Sequence, residues 1–317
     1  MRIVFMGTPD FSVPALHKLV KGDYDVVAVY TRPDKPVGRG RTMAVSPVKK
    51  SALAHGLNVL QPASLRDPTE VERLAALKPD VIILVAFGQI LPQAILDIPA
   101  FGCLNIHPSL LPKYRGPTPI PAAILAGDDD TGVTIILMDA GLDMGPVLSQ
   151  LIVEIEPRDT TELLSAKLAQ AGARLLVETL PLWFDKLLTP QPQHKNTASY
   201  TRRITKEDGE IDWRLPAEVI WRRVRAFYPW PVCYTWWRGR LLRIIEAVPL
   251  HKEGVAVTGK VSALPSGLPA SAGVDTGDGI LGLVRVQLEG KRIMTIDEFL
   301  RGQRDFIGEV LGAEKKD

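Results

Sequence analysis

The chain has 317 residues, of which 46% are hydrophobic, and its formal net charge at neutral pH is +2. This length predicts two domains, and the composition excludes a disordered or fibrous chain. The small net charge excludes nucleic-acid binding through a global positive field, so such binding would have to use local patches. Cys103, Cys233 and the five histidines are scattered without metal-type spacing, which predicts neither a disulfide framework nor a metal site.

No targeting or membrane segment is evident in the sequence. Met1-Arg2 leads directly into a strand-like run, without the apolar core of a signal peptide. The longest apolar run, residues 81–87, is far too short to cross a bilayer. We therefore expect a soluble, cytoplasmic protein that does not bind membranes.

From the start of the chain to about residue 186, short β-branched runs alternate with helical patterns. Five strands alternating with five helices are predicted first, with strands at 2–6, 25–30, 57–60, 81–86 and 103–106. Two more strands, 133–138 and 147–155, precede a long helix with Asp159 as its N-cap and an end near Leu187. This alternation predicts an α/β fold with a Rossmann-like, mostly parallel sheet, assigned to residues 1–188.

The composition and the predicted secondary structure change after this domain. Residues 189–206 are polar and proline-bearing at their start, which predicts a linker. Residues 207–317 then carry one helix at 216–227, closely spaced strands, turns at Gly239 and Asp278-Gly279, and a helix at 295–304. This pattern predicts a smaller OB-like β-barrel domain, with a small open sheet as the alternative.

The first strand is followed by Gly7-Thr8-Pro9, where a dinucleotide-binding fold would carry its glycine fingerprint. Pro9 and Phe11 occupy positions at which glycines would let a pyrophosphate approach the backbone. Dinucleotide binding is therefore disfavoured.

Residues 31–50 form a basic loop with six cations, including Arg39 and Arg41, against one acid, Asp34. Charge runs of this kind are usually solvated surface. At the carboxyl edge of the sheet, however, such a loop is well placed to bind a phosphate backbone through salt-sensitive contacts.

Asn105, His107 and Asp143 are the candidate catalytic residues. Asn105 and His107 are two residues apart on an extended segment, so their side chains share one face. Asp143 follows another strand, and Gly141 and Gly145 allow a tight return that carries it inward. A lone histidine is more often structural, but this grouping at one sheet edge favours chemistry.

An amide, an imidazole and a carboxylate suit acyl transfer through a tetrahedral intermediate. The amide and a charged imidazole can stabilise the oxyanion. The carboxylate can hold the imidazole charged and collect the proton of an attacking amine, directly or through water. No serine or cysteine nucleophile with a neighbouring base is evident, which favours direct attack by the substrate amine.

A second basic region covers residues 201–240, with nine cations, five acids and five of the six tryptophans. Aromatic and basic side chains together form either a nucleic-acid surface or a core with a solvated face. The basic residues at its start, Arg202, Arg203 and Lys206, are the candidates for nucleic-acid contacts.

Six motifs occur in the order found in one known family. They are MRIVFMGTPDFSVPAL at 1–16, PDKPVGRG at 33–40, FGQILP at 87–92, NIHPSLLPKYRG at 105–116, GLDMGP at 141–146 and RAFYPWP at 225–231. With them the chain resembles the methionyl-tRNA formyltransferase family from end to end. NIHPSLLPKYRG and GLDMGP alone indicate the wider superfamily that uses 10-formyltetrahydrofolate, and the basic loop and second domain narrow the match.

The resemblance implies formyl transfer from 10-formyltetrahydrofolate to the α-amine of methionine on initiator tRNA. It places Asn105, His107 and Asp143 at the family's catalytic positions. It implies folate contacts for two segments, namely Phe87, Gly88, Gln89, Ile90, Leu91 and Ser109, Leu110, Leu111, Pro112. It implies tRNA contacts for the loop with Arg39 and Arg41, and a monomer is expected. Some members of the family have glycine where this chain has Pro108. For Lys113 and Arg115, a structural role and a phosphate-binding role both remain open.

Two other functions remain open at this point. One is a formyltransferase for a small amine, such as a nucleotide sugar or glycinamide ribonucleotide, for which the second domain would be dispensable. The other is an RNA-binding protein whose first domain has lost its activity, which the intact catalytic trio disfavours.

Overall fold

A computed structural model describes residues 1–22, 24–37, 42–251 and 257–312. Contacts divide the chain into two compact units. The first contains residues 1–119, 130–154 and 165–202, and the second contains residues 120–129, 155–164 and 203–317. Within the described ranges, no helix is both long and apolar enough to cross a membrane.

The first unit is built on a seven-stranded sheet. Its strands in chain order are β1 (Arg2–Gly7), β2 (Asp25–Tyr30), β5 (Val59–Leu60), β6 (Val81–Val85), β7 (Cys103–His107), β8 (Asp130–Leu137) and β9 (Val147–Glu154). The spatial order is β5-β2-β1-β6-β7-β8-β9. The first five of these strands are parallel, and β8 and β9 are antiparallel to their neighbours. The prediction of a Rossmann-like, mostly parallel sheet is therefore confirmed.

Five helices lie between these strands in the chain and a sixth follows the last strand, while a hairpin lies between β2 and the second helix. The helices are α1 (Val13–Lys21), α2 (Pro47–Ala54), α3 (Pro68–Ala76), α4 (Gln93–Leu96), α5 (Pro119–Ala126) and α6 (Thr161–Phe184). The hairpin pairs β3 (Lys35–Val37) with β4 (Thr42–Ala44) in the basic loop. α2 and α3 begin where a capping side chain, Ser46 or Asp67, precedes a proline at the first helical position.

The central strands are buried on both faces because helices cover the sheet. Every residue of β6 and β7 is buried, and so is the stretch of β1 from Ile3 to Gly7. A buried polar pair, Asn105 and His107, therefore lies in an otherwise apolar strand. Polar groups in such a place are costly unless they are hydrogen-bonded.

The predicted start and end of α6 are both shifted in the structure. Thr160, not Asp159, is the N-cap, because its Oγ1 accepts a hydrogen bond from the Leu163 amide at 3.3 Å. Asp159 instead accepts from the Glu156 amide at 2.9 Å in the preceding turn. The helix ends at Phe184, since Lys186 adopts a positive φ of 58° and the Leu187 amide returns to the Leu182 carbonyl.

The second unit contains an antiparallel sheet, as expected for an OB-like half-barrel. Its strands are β10 (Cys233–Trp237), β11 (Arg240–Leu250), β12 (Val261–Ala263), β13 (Ala272–Asp275), β14 (Ile280–Leu288) and β15 (Met294–Thr295). They follow the order β10-β11-β14-β13-β12, with β15 beside β14. Helices α7 (Ala217–Ala226) and α8 (Ile296–Gly302) pack against it.

Turn and cap chemistry explains several boundaries in this unit. Gly239 has a φ of 67° in the turn between β10 and β11, and Gly279 has a φ of 79° in the turn before β14. Both predicted turns are thus confirmed. Thr295 and Glu298 form a capping box that starts α8, with hydrogen bonds of 3.3 and 3.1 Å.

Candidate active site

Three polar side chains meet beside β7 of the first unit's sheet. Because β8 is antiparallel to β7, with Leu137 opposite Leu104, the segment after β8 leaves the sheet at the amino end of β7 and not at the carboxyl edge expected from the sequence. Asn105 and His107 lie on β7, and Asp143 lies in the segment after β8, the neighbouring strand. Asn105 Nδ2 donates to Asp143 Oδ1 at 3.5 Å, and His107 Nδ1 lies 3.7 Å from Asp143 Oδ2. The structure therefore brings together the three residues that the sequence singled out.

Asp143 is held by the backbone around it. Its φ is 52°, a left-handed conformation that L-residues seldom adopt. The Gly116 amide donates to Asp143 Oδ2 at 2.8 Å, from a glycine whose own φ is 105°. A side chain at Gly145 would collide with the carbonyl oxygen of Leu137, so only glycine lets the segment return so close to the end of β8. The carboxylate consequently points toward β7.

His107 is buried and its orientation is fixed by one backbone group. Its Nε2 lies 3.0 Å from the carbonyl oxygen of Tyr114, which can only accept, so Nε2 carries the proton. Nδ1 then faces Asp143. Burial lowers the pKa of His107, while the Asp143 carboxylate and the hydrogen bond to Tyr114 act in the opposite direction. The net direction favours a neutral imidazole in the resting protein, in contrast to the charged imidazole expected from the sequence.

This lowered pKa predicts a pH dependence of stability. The folded-state pKa lies below the ordinary value of 6.5, so the stabilisation linked to His107 is complete above that value and is lost as pH falls through the folded pKa. The variant His107→Asn lacks this titration. We expect the difference in unfolding free energy between the native protein and His107→Asn to shrink from about pH 7.5 to about pH 5 in urea titrations. A difference that grows toward low pH contradicts the assigned direction.

The turn at residues 109–112 is fixed by hydrogen bonds with side chains of β8 and β9. Ser109 is fully buried, and its Oγ donates to the Lys113 carbonyl at 2.6 Å. Thr134 Oγ1 donates to the Ser109 carbonyl at 2.6 Å and accepts from the Leu111 amide at 3.1 Å. Gln150 Nε2 reaches both Thr134 Oγ1 and the Leu111 carbonyl at 2.9 Å. The turn therefore presents a fixed wall beside the trio.

The loop at residues 87–91 leaves β6, the strand on the other side of β7. Phe87 and Leu91 are buried, and the Gln89 side chain binds the Leu65 amide and the Pro62 carbonyl at 3.0 and 3.2 Å. Ile90 is 72% exposed. The loop is thus anchored by the buried side chains of Phe87 and Leu91 and by the hydrogen bonds of Gln89. The Ile90 side chain is exposed to solvent.

The predicted nucleic-acid contacts are distributed over different parts of the chain. Arg39 and Arg41 lie outside the described residues. Arg202, Arg203 and Lys206 are exposed. Near the base of the basic loop, Lys49 pairs with Asp34 at 2.5 Å, and Asp34 also accepts from Gln61.

The tryptophans of residues 201–240 differ in their burial. Trp213 and Trp237 are buried, and Trp237 packs edge-on against two phenylalanines of the core. Trp221 lies under the Arg225 guanidinium, 3.8 Å from the ring centroid. Trp230 is 54% exposed. Most of this cluster therefore stabilises the second unit.

Several residues that support the site were missed from the sequence. Thr134 and Gln150 are paired across β8 and β9, where only a polar interruption in an apolar run signals them. Arg115 is only 2% exposed, which assigns it to structure rather than to phosphate binding. Gln193 binds Arg115 and the backbone next to Asp143, yet its proline-flanked surroundings predicted a linker.

Two family models and several relatives match this chain. Residues 1–180 match the family model described as formyl transferase, and residues 203–304 match the formyl transferase C-terminal domain. The methionyl-tRNA formyltransferase of Chloroflexus aurantiacus (strain ATCC 29366 / DSM 635 / J-10-fl) is 48% identical over 303 residues, covering 95% of this chain and 97% of that protein. The one from Dehalococcoides mccartyi (strain ATCC BAA-2266 / KCTC 15142 / 195) is 47% identical over 312 residues, covering 98% and 99%.

A solved structure shares the fold at lower identity. The N-formyltransferase from Helicobacter canadensis, in complex with folinic acid and dTDP-3-aminofucose, superposes with a TM-score of 0.66 at 20% identity. The match covers 89% of this chain and 98% of that chain.

Proposed function

Because the chain belongs to the formyl transferase family, we propose that it transfers the formyl group of 10-formyltetrahydrofolate to the α-amino group of methionine on initiator tRNA. The substrate assignment rests on relatives named methionyl-tRNA formyltransferase, which are 47–48% identical to this chain over nearly its full length. Fold alone does not select a substrate, since one fold hosts many acceptors. The convergence of Asn105, His107 and Asp143 supports the reaction type.

The residues around the candidate active site suit a folate co-substrate. 10-Formyltetrahydrofolate supplies the formyl carbon that the amine attacks. Ile90, in the loop after β6, and Leu142 and Met144, on either side of Asp143 in sequence, are exposed apolar side chains, and we propose them as contacts for the flat ring system. We propose Phe87 to Leu91 and Ser109 to Pro112 as the walls of this pocket.

In the proposed mechanism the methionine amine attacks the formyl carbon directly and forms a tetrahedral intermediate. Asn105 Nδ2 needs no protonation to donate to the oxyanion, so it is the primary stabilising donor. The proton released by the amine goes to the Asp143–His107 pair, whose facing atoms are 3.7 Å apart. Protonation of His107 at Nδ1 then yields an imidazolium beside a carboxylate. Collapse of the intermediate breaks the bond between the formyl carbon and N10 of the folate, and the imidazolium returns the proton to that nitrogen, so the folate amine is released and the formamide remains.

We propose that the second unit and the basic residues bind the tRNA. The candidates are Arg39 and Arg41 of the basic loop and the exposed Arg202, Arg203 and Lys206. In this proposal residues 1–188 form the catalytic domain and residues 207–317 the tRNA-binding domain. Residues 189–206 are the linker between them in sequence, and its residues 191–202 are bound to the first unit. The protein would act as a cytoplasmic monomer in translation initiation, and light scattering of the purified protein tests the monomer.

Arg41→Ala should weaken the use of tRNA without affecting the chemistry. Removing one phosphate contact reduces the slope of log affinity against log salt by about one. We expect a higher KM for charged tRNA, an unchanged KM for folate and a flatter salt dependence. Arg66→Ala, an exposed arginine in a neighbouring loop, is the matched control. An unaltered salt slope for Arg41→Ala would remove the basic loop from the tRNA site.

The function is tested by offering the purified protein 10-formyltetrahydrofolate with different amines. The acceptors are initiator tRNA charged with methionine, free methionine, glycinamide ribonucleotide and an amino-sugar nucleotide. Formylation confined to the charged tRNA supports the proposal. Turnover of a small amine alone keeps the chemistry and overturns the tRNA assignment, and tRNA binding without any transfer indicates a non-enzymatic RNA-binding protein.

A further inference from the structure

Residues 191–202 run along the first unit and are bound to it through their backbone. Gln191 and Val147 exchange two backbone hydrogen bonds of 2.8 Å. Further along, the Arg115 amide donates to the Ser199 carbonyl at 2.9 Å, and the Thr201 amide donates to the Arg115 carbonyl at 2.8 Å. The segment is therefore an ordered part of the unit that contains the candidate active site.

Gln193 is the residue of this segment that reaches the backbone of the Asp143 loop. Its Nε2 donates to the carbonyl oxygens of Asp143 and Gly145, at 2.8 and 2.7 Å. Its Oε1 accepts from Nε and Nη2 of Arg115, at 3.0 and 2.7 Å. Both donor positions and both acceptor positions of the amide are used. The opposite orientation of the amide would place oxygen against two carbonyl oxygens, so this one is fixed.

Arg115 in turn is held in place. Its guanidinium is buried, donates from Nη1 to the Tyr200 hydroxyl at 2.9 Å, and lies 5.6 Å from the centroid of the Tyr200 ring. The next residue along the chain, Gly116, binds the Asp143 carboxylate through its amide. One short stretch, Arg115-Gly116, thus fixes the side chain of Asp143 directly and its backbone through Gln193.

We propose that Gln193 is a positioning residue for Asp143, acting through the two carbonyl groups that it binds. Asp143 is in a left-handed conformation and needs external contacts to keep its carboxylate aimed at His107 and Asn105. The Gly116 amide fixes one carboxylate oxygen, and Gln193 fixes the backbone from which the side chain leaves. This inference rests on the proposed function, because the effect of Gln193 is read through formyl transfer.

The test uses two substitutions of Gln193 in the full chain. Gln193→Glu keeps an oxygen for Arg115 but replaces the donor with an oxygen that repels the two carbonyls. Gln193→Met removes both kinds of contact at similar volume. The matched controls are Gln191→Glu and Gln191→Met, since the Gln191 side chain is exposed and donates to the Thr189 carbonyl two residues away.

For both Gln193 variants we expect kcat for formyl transfer to fall about ten- to a hundredfold, because small misplacements of a catalytic group have effects of this size. The KM values for folate and charged tRNA should stay within about twofold of native, since a positioning defect acts on the transition state. Gln193→Glu should lower the melting temperature less than Gln193→Met does, because its contact with Arg115 remains. The Gln191 variants should match the native protein.

The contrary outcomes are distinct. A kcat for Gln193→Glu equal to that of Gln191→Glu overturns the inference, as does a raised KM with an unchanged kcat. A fall in kcat that occurs only in Gln193→Met, together with a lowered melting temperature, reduces Gln193 to a structural tether and also overturns it. Native protein that formylates none of the amines refutes the proposed function instead.

Discussion

Asp143→Asn is expected to reduce kcat for formyl transfer by about a thousandfold and to leave the affinity for charged tRNA nearly unchanged. The amide cannot take the proton that the attacking amine must lose. It also no longer offers the negative charge that favours a proton on His107 Nδ1, 3.7 Å away. The carbonyl oxygen of the new side chain can still accept from Gly116, so the fold of the loop should persist.

Single-turnover kinetics and tRNA binding, measured on the same preparations, check this prediction. Asp139→Asn is the matched control, because Asp139 is an exposed carboxylate in the same loop whose Oδ1 accepts from the Gly141 amide at 2.9 Å. It removes the same charge four residues away. Turnover by Asp143→Asn at the level of Asp139→Asn would refute the role of the Asp143 carboxylate.

Asn105→Ala is expected to reduce kcat about a hundred- to a thousandfold, the effect of deleting one oxyanion donor. Asn105 is buried on β7 beside Leu84 of β6, so its amide is preorganised and poorly accessible to water. A donor aimed at developing charge in such a place is worth more than in solvent. The KM values should change little, because the interaction that the variant lacks strengthens only in the transition state.

Steady-state kinetics for both substrates separate this role from a binding role. Asn58→Ala serves as the control, since Asn58 is an exposed asparagine in the same unit whose carbonyl, unaffected by the change, accepts from Val29. A higher KM for folate with a native kcat would make Asn105 a ligand contact rather than an oxyanion donor. If the melting temperature falls so far that unfolding accounts for the lost activity, Asn105 is a core residue rather than an oxyanion donor.

The parts of the fold that followed from the sequence are those with local causes. β6 and β7 are continuous apolar runs, and the two-residue spacing of Asn105 and His107 is sufficient to assign their side chains to one face. Gly145 signalled a close approach of backbones, and it lies where a side chain would strike the Leu137 carbonyl. Each of these signals is contained within a few residues.

What the sequence did not reveal depends on partners far along the chain. Gln193 meets Asp143 across 50 positions, and its polar, proline-bearing surroundings resemble those of any flexible connection. The lowered pKa of His107 follows chiefly from its burial, which the neighbouring residues in the sequence do not indicate. The short hairpin of β3 and β4 lacks the alternating apolar pattern that would have predicted strands.

The path of residues 191–202 determines how the first unit can be isolated as a fragment. A chain cut at residue 188, after the last helix of the Rossmann-like fold, would leave the buried Arg115 without Gln193 and Tyr200 and the Tyr114 amide without the Ser199 hydroxyl. Unpaired charge and polar groups in a buried site cost several kcal/mol in total, about 1–3 kcal/mol or more for each group. A fragment that keeps these buried contacts must therefore extend to Arg202, because residues 191–202 complete the hydrogen bonding of the first unit.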